Sequence, residues 1–245
     1  MNVVVFGLKG GQGKSSLAVR LGLSLARAGH RTLVVDLCAA ASASHLLGFG
    51  EGVELGSAGL LGGKSTPAEV IVPTGQDKLL ALPADLALAG EPGPQAARLL
   101  RAIGRRHDFT LIDAPTGDGP WTTMALLSAD WALLPVVPDE LSLVGARASV
   151  TWLRHLKGRK KAQLAGLVVN RAGPRSAAAA AAEAALRDER GRQVFKAALR
   201  RDASFSRPAG VARALRAKAP KGVDLDVQDL RRELLRTLLR RNRPA

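Results

Sequence analysis

Residues 7–16 read GLKGGQGKSS, and they lie between two stretches of opposite character. Before them, Asn2–Phe6 (NVVVF) is a short β-branched run that reads as a buried strand. After them, Ser15–Ala28 (SSLAVRLGLSLARA) spaces its leucines and valine as a helix does, and Gly29 stands where a left-handed cap belongs. A glycine-rich turn that leaves a strand and opens a helix offers backbone N–H groups and a helix N-terminus to phosphate oxygens. The loop closes in Gly13-Lys14-Ser15, the ending of GxxxxGK[ST]; the leading glycine of that pattern falls on Leu8, with Gly7 one residue ahead of it. In this setting Lys14 reaches the terminal phosphates of a nucleotide and the Ser15 hydroxyl ligates Mg²⁺. Lys9 is the surplus, because a phosphate loop needs only one lysine.

Outward from the loop the chain keeps alternating. Thr32–Asp36 (TLVVD) is a second buried strand, so the opening is a strand–loop–helix–strand unit with a right-handed crossover. Leu79–Leu82, Phe109–Asp113 (FTLID), Trp131–Val137 and Leu164–Val169 read as further strands, and Gln95–Arg106 and Leu141–Lys157 as helices. Strands alternating with helices predict an α/β fold, a doubly wound, mostly parallel sheet flanked by helices. Residues 48–63 (GFGEGVELGSAGLLGG) are expected to form an irregular surface excursion, and the alanine run Ala177–Ala185 a helix. With no repeat and no linker, residues 1–245 are expected to form a single domain.

Composition narrows the class. Of 245 residues, 47% are apolar and 23% charged, which is globular, and no apolar run approaches a membrane span. The N-terminus lacks the pattern of a signal peptide, and one cysteine, Cys38, excludes a disulfide framework, so a cytoplasmic location is expected. The formal net charge of +15 is unevenly placed: residues 1–145 hold 11 Lys/Arg against 13 Asp/Glu, whereas residues 146–245 hold 25 against 8. A basic second part suggests an anionic polymer or surface as partner. Aromatic residues are only 3% and tyrosine is absent, so nucleic-acid contact would be to phosphates and not to stacked bases.

Asp113 ends a hydrophobic strand and is followed by Ala-Pro-Thr-Gly, an abrupt loop, which makes it the candidate acid for the Mg²⁺ shell. At this point a family resemblance emerges. Lys9-Gly10-Gly11-Gln12-Gly13-Lys14-Ser15-Ser16 resembles the deviant Walker A motif, KGGxGK[ST][ST], of the ParA/MinD ATPases, a branch of the P-loop NTPases. Val34–Ser44 (VVDLCAAASAS) resembles the Walker A′ segment, Asp108–Gly117 (DFTLIDAPTG) Walker B, and Leu133–Gly145 and Leu167–Arg171 the segments that follow. Val194–Ser206 is similar, more weakly, to the stretch that reads I-P-R-x-x-x-x-S in ParA proteins.

The resemblance implies an Mg²⁺-dependent ATPase that forms an ATP-bound sandwich homodimer. Gly10, Gly11, Gln12, Gly13, Lys14, Ser15 and Ser16 would hold the nucleotide, with Ser15 and Asp113 on the metal and Lys14 and Asp36 in the catalytic set. Lys9 would cross to the partner subunit's nucleotide, where a cation supplied in trans stabilises phosphate charge, as an arginine finger does. Asn170 would recognise adenine; as a strand-end residue it is equally a turn former. The pattern breaks at Cys38, which stands where relatives carry the second Walker A′ aspartate, implicated in organising the attacking water. A thiol is a poor water acceptor, so hydrolysis is expected to be slow or to depend on another acid such as Asp118, unless Cys38 is only a buried structural thiol.

For the basic part the family offers two precedents, non-specific DNA binding in ParA proteins and membrane binding by a C-terminal amphipathic helix in MinD-like ones. Asp226–Arg240 (DVQDLRRELLRTLLR) places Leu230, Leu234, Leu235, Leu238 and Leu239 on one face but has no Phe or Trp anchor; it is expected to pack on the core, and a membrane partner is not expected. Arg200, Arg201, Arg207, Arg213 and Arg216, with Lys218 and Lys221, are the candidates for contacting double-stranded DNA; Arg201 falls on the I-P-R arginine. The expected protein is a ParA-type, nucleoid-associated partition ATPase regulated by a ParB-like partner. The alternatives are a MinD-like or other cargo-positioning ATPase, and a nucleotide-gated binding module that does not hydrolyse. Because the phosphate loop begins at once, a helix-turn-helix extension and site-specific autorepression are not expected.

Overall fold

A computed structural model describes residues 1–50, 53–158, 160–172, 177–217 and 219–241. The chain runs β1 (Asn2–Val5), α1 (Lys14–Arg27), β2 (Thr32–Asp36), α2 (Ser42–Leu47), α3 (Ser57–Leu61), α4 (Pro67–Val70), β3 (Val72–Pro73) and β4 (Leu79–Leu82). It continues through α5 (Ala96–Gly104), β5 (Phe109–Asp113), α6 (Pro120–Ser128), β6 (Trp131–Val136), α7 (Glu140–His155) and β7 (Gln163–Ala172). It ends with α8 (Ala177–Arg190), β8 (Leu199–Arg200), α9 (Pro208–Arg216) and α10 (Val223–Arg241). The strands form one eight-stranded sheet in the order β3-β4-β2-β5-β1-β6-β7-β8, and only the β3–β4 pair is antiparallel. The doubly wound, mostly parallel α/β architecture is therefore the one the alternating pattern predicts.

The central strands are buried on both faces, which is why they read as continuous apolar runs and not as alternating ones. Side chains of successive residues still part company: Val4 and Phe6 join the layer under α5, α6 and α7, while Val3 and Val5 join the layer under α1 and α10. The register then positions the chemistry. Val5 pairs with Asp113, and Asp36 pairs with the same Asp113 on the other side. Two carboxylates and the mouth of the phosphate loop thus meet at the carboxyl edge of β2, β5 and β1, where ligands bind in open parallel sheets.

Two expectations need amendment, and two short strands are added. Within residues 48–63, Ser57–Leu61 is a fully buried helical turn and not a surface excursion. Its small residues permit close approach: the Ser57 hydroxyl donates to the Asp36 carbonyl at 2.7 Å, and the Gly56 and Gly59 N–H groups donate to the Asp85 carboxylate at 2.8 Å each. β3 and β8, two residues each, were too short to carry a pattern. α10 begins at Val223, before Asp226, and buries Val227, Leu230, Leu234 and Leu238 against the α1 layer. Leu235 is half-buried and Leu239 is 62% exposed, so the leucine face packs on the core, as expected, minus its outer edge. No helix among the described residues is long and apolar enough to cross a membrane.

Candidate functional site

The phosphate loop lies between β1 and α1 and borders a cavity of about 940 Å³ lined by Gly11–Ser16, Cys38–Ala40, Pro115, Thr116, Arg171 and Ser206 among others. Gly11 and Gly13 hold φ of 74° and 82°, the left-handed region that residues with a β-carbon avoid. Gly13 is required twice over, because a β-carbon there would collide with the side-chain amide of Asn170. Asn170 is 1% exposed; its Nδ2 donates to the Gln12 carbonyl at 2.7 Å and its Oδ1 accepts from the Arg171 N–H at 2.9 Å. The end of β7 thereby braces the loop from behind. Gln12 adds a second brace: its Oε1 accepts from the Val137 N–H at 2.8 Å and its Nε2 donates to Ser142 Oγ at 3.1 Å.

Lys14, 7% exposed, donates to Thr116 Oγ1 at 2.8 Å, and burial lowers its pKa while Asp113 opposes that shift. Asp113 is fully buried. Burial, followed by the charge of Asp36, pushes its carboxyl up to about 8, against the opposing Ser15 hydroxyl and Lys14 ammonium. Its Oδ1 is shut off from solvent without a hydrogen-bond partner. An orphaned carboxylate oxygen beside the Ser15 hydroxyl fits a hard divalent cation, which would supply the missing partner and stabilise the ionised form.

Asp36 behaves differently. Its Oδ1 accepts from the Cys38 N–H at 2.9 Å, and its Oδ2 accepts from both the Ser44 N–H and the Ser44 hydroxyl at 2.8 Å. Burial raises its pKa and these bonds work against the rise. At 1% exposure it is not a wall of the cavity; it ties the β2–α2 loop into shape. Cys38 does face the cavity, with Sγ 3.5 Å from Asp113 Oδ2. Burial, then the charges of Asp113 and Asp36, push the thiol up, so it stays protonated and donates toward Asp113.

Lys9 sits at the start of the loop and is not among the residues that line the cavity. Its ammonium is held by its own chain, 3.1 Å from Asp139 Oδ1 and 2.9 Å from Ser142 Oγ. The exposed apolar side chains of Leu141 and Val144 lie on the same helix, α7, whose Gly145 leaves room for the Lys9 stem.

Residues 3–213 match the family described as the CobQ/CobB/MinD/ParA nucleotide-binding domain. The chain belongs to that family. Among curated relatives of this ParA/MinD-type chain, the chromosome-partitioning ATPase Soj of Thermus thermophilus is 31% identical over 218 residues, which is 86% of either chain. The fold is that of the cell division ATPase MinD of Pyrococcus furiosus, with a TM-score of 0.78, 23% identity, and coverage of 96% of this chain and 98% of that one. The septum site-determining protein MinD of Pyrococcus horikoshii, solved with Mg-ADP, aligns with a TM-score of 0.74 and 22% identity over 93% of each chain. The sequence motifs of the ParA/MinD family thus coincide with one cleft. Thr116, Gln12 with Ser142, and Arg171 with its left-handed φ of 58° were not legible in the motifs, since their roles arise from contacts across more than 100 residues or from backbone shape.

Of the candidate DNA contacts, Arg201, Arg207, Arg213 and Arg216 are exposed, and Lys218 lies outside the described residues. Arg200 is also exposed but is spoken for, donating to both oxygens of Asp226 at 2.7 and 2.6 Å. Arg201 and Arg207 line a second cavity of about 690 Å³, which shares Arg171 and Ser206 with the first.

Proposed function

We propose that this chain is a partition-type ATPase, in which Mg²⁺ and ATP occupy the phosphate-loop cavity and close two copies into a dimer. The observation that carries the reading is the pairing of two lysines with different environments: Lys14 buried beside Asp113, and Lys9 held at the start of α7, the helix that exposes Leu141 and Val144. Lys14, the loop N–H groups and Ser15 bind the phosphates and the metal, and Asp113 completes the metal shell. The Mg-ADP found in the Pyrococcus horikoshii neighbour supports the choice of cofactors. Asn170 and Asp36 act as positioning residues, one for the loop and one for the Walker A′ turn. Cys38 makes turnover slow, because a protonated thiol next to Asp113 does not orient water as a carboxylate does.

The dimer binds double-stranded DNA through Arg201, Arg207, Arg213 and Arg216, with salt-dependent, sequence-independent affinity that doubling the contacts strengthens. A ParB-like partner then controls release. The reading is tested by light scattering on the protein with and without ATP and Mg²⁺, followed by DNA co-sedimentation in low and high salt. ATP-dependent dimerisation with salt-sensitive DNA binding is expected, and Lys9→Ala is expected to lose both. Binding to anionic liposomes in place of DNA would favour a MinD-like positioning role. Dimerisation with no phosphate release, even with DNA present, would favour a nucleotide-gated binding module, the reading that Cys38 supports.

A further inference from the structure

The far end of α1 carries a second recess that the nucleotide site does not use. It encloses about 530 Å³ between the last turns of α1, the β3–β4 turn and the first turns of α10. That volume is in the range of small-ligand sites. Arg27, Lys78 and Arg231 converge on it from these three elements, and one terminal nitrogen of Arg27 already donates to the carbonyls of Ala214 and Ala217. Arg231 is incompletely satisfied: one terminal nitrogen donates to the Ser24 carbonyl at 2.7 Å, while Nε is shut off from solvent with no hydrogen-bond partner. The half-buried Arg231 guanidinium is thus short of one partner, and the residue lines the recess.

Lys78 supplies an independent sign. Its backbone lies in the left-handed region at φ 62°, a conformation that costs a lysine energy and that places it on the rim of the recess. Its ammonium lies beside Gly29 at the end of α1, 3.9 Å from where a β-carbon on that residue would stand. The acids nearby leave the balance positive. Asp224 is already held by Arg20 at 2.5 Å, and Asp77 is the other carboxylate on the wall.

We propose that this recess is an anion site separate from the nucleotide cavity, taking a small phosphorylated ligand of diphosphate size on Arg27, Lys78 and Arg231. Guanidinium and ammonium donors arriving from three sides suit a compact group with oxygens on several faces. A polymer backbone would instead be met by cations ranged along an open ridge. The recess also touches the Arg20–Asp224 pair, and Arg20 in turn holds the Ser204 and Phe205 carbonyls next to Ser206 of the nucleotide cavity.

Inorganic pyrophosphate is the probe, titrated calorimetrically into the full chain without added metal. Three variants are compared: Lys14→Ala, which disables the phosphate loop, and Lys14→Ala combined with either Lys78→Asn or Arg231→Met. Asparagine tolerates the left-handed backbone at position 78, so that variant removes the charge without stressing the turn. Lys14→Ala is expected to retain one pyrophosphate site, and each double variant to bind it at least about tenfold more weakly. Loss of all binding in Lys14→Ala, or retained binding in either double variant that still melts cooperatively, overturns the proposal. Short duplex DNA titrated in parallel separates the two sources of phosphate. If Lys78→Asn and Arg231→Met lower DNA affinity while no pyrophosphate binds, the recess is a backbone-phosphate contact and the proposal fails.

Discussion

Lys9 Nζ lies 3.1 Å from Asp139 Oδ1 of its own chain, and the same carboxylate caps α7 by accepting from the Ser142 N–H at 2.8 Å. The lysine that would serve a partner's nucleotide is therefore stored at home. Burial raises the pKa of Asp139, but bonds from Ser142 and Lys9 outweigh it and hold the carboxyl below its ordinary value, so the carboxylate stays ionised at neutral pH. Asparagine caps a helix about as well as aspartate, so Asp139→Asn removes the charge while keeping the cap. The pair is substantially exposed, which limits its worth to roughly 0.5–1 kcal/mol. Asp139→Asn should thus tighten ATP-dependent dimerisation by about twofold to fivefold, read by sedimentation velocity. Unchanged or weaker dimerisation would remove the storage role.

Cys38→Asp should raise phosphate release by about tenfold or more, the scale of a positioned general base or water acceptor. The same change crowds a third carboxylate against Asp36 and Asp113 and should lower the melting temperature of the metal-free protein. Cys38→Ala separates the effects, since it removes the thiol and adds no charge. Wild-type turnover left untouched by Cys38→Asp would mean that the attacking water is organised elsewhere.

Asp113 makes a prediction about pH. A carboxyl raised to about 8 by burial and by Asp36 favours its protonated form in the folded chain. Its contribution to stability is fully present below the unfolded value near 4 and is lost as pH rises through about 8. In the presence of a chelator, the wild type should therefore lose stability between pH 6 and pH 9, and Asp113→Asn should lose less. Denaturant melts across that window test it; parallel curves for the two proteins would be inconsistent with the raised value.

Among the described residues, Arg20 is the largest fully buried side chain and is 2% exposed. It binds the Asp224 carboxylate and the carbonyls of Ser204 and Phe205, and lies 5.4 Å from the Phe205 ring. Arg20→Met leaves all of these acceptors without their donor, which should cost about 3 kcal/mol. For a chain of this size that is roughly 6–12 °C in melting temperature. A differential scan showing less than about 2 °C would mean that water takes over the guanidinium's role.

Much of the site was legible in the sequence because its parts are local. A glycine loop between a β-branched strand and an amphipathic helix must present N–H groups, whatever the rest of the chain does, and Lys14 and Ser15 come with it. Asp113 was legible for a related reason, as the polar end of an apolar strand. Asn170 could be read as a base reader or as a turn residue; folded, its amide is spent on Gln12, a partner 158 residues away. Arg200 was one cation among several until Asp226 closed on it.

By itself, then, the sequence determined the order of the longer strands and of the helices between them, the phosphate loop and the family, because apolar periodicity and glycine backbone freedom act over a few residues. Tertiary structure alone decided which charges are in use. It put Lys9 on Asp139, Arg20 on Asp224 and Cys38 against Asp113, and it left Asp113 and Arg231 each with an unpartnered atom. Side-chain electrostatics depend on burial and on the nearest opposite charge, and both are fixed only when distant segments meet.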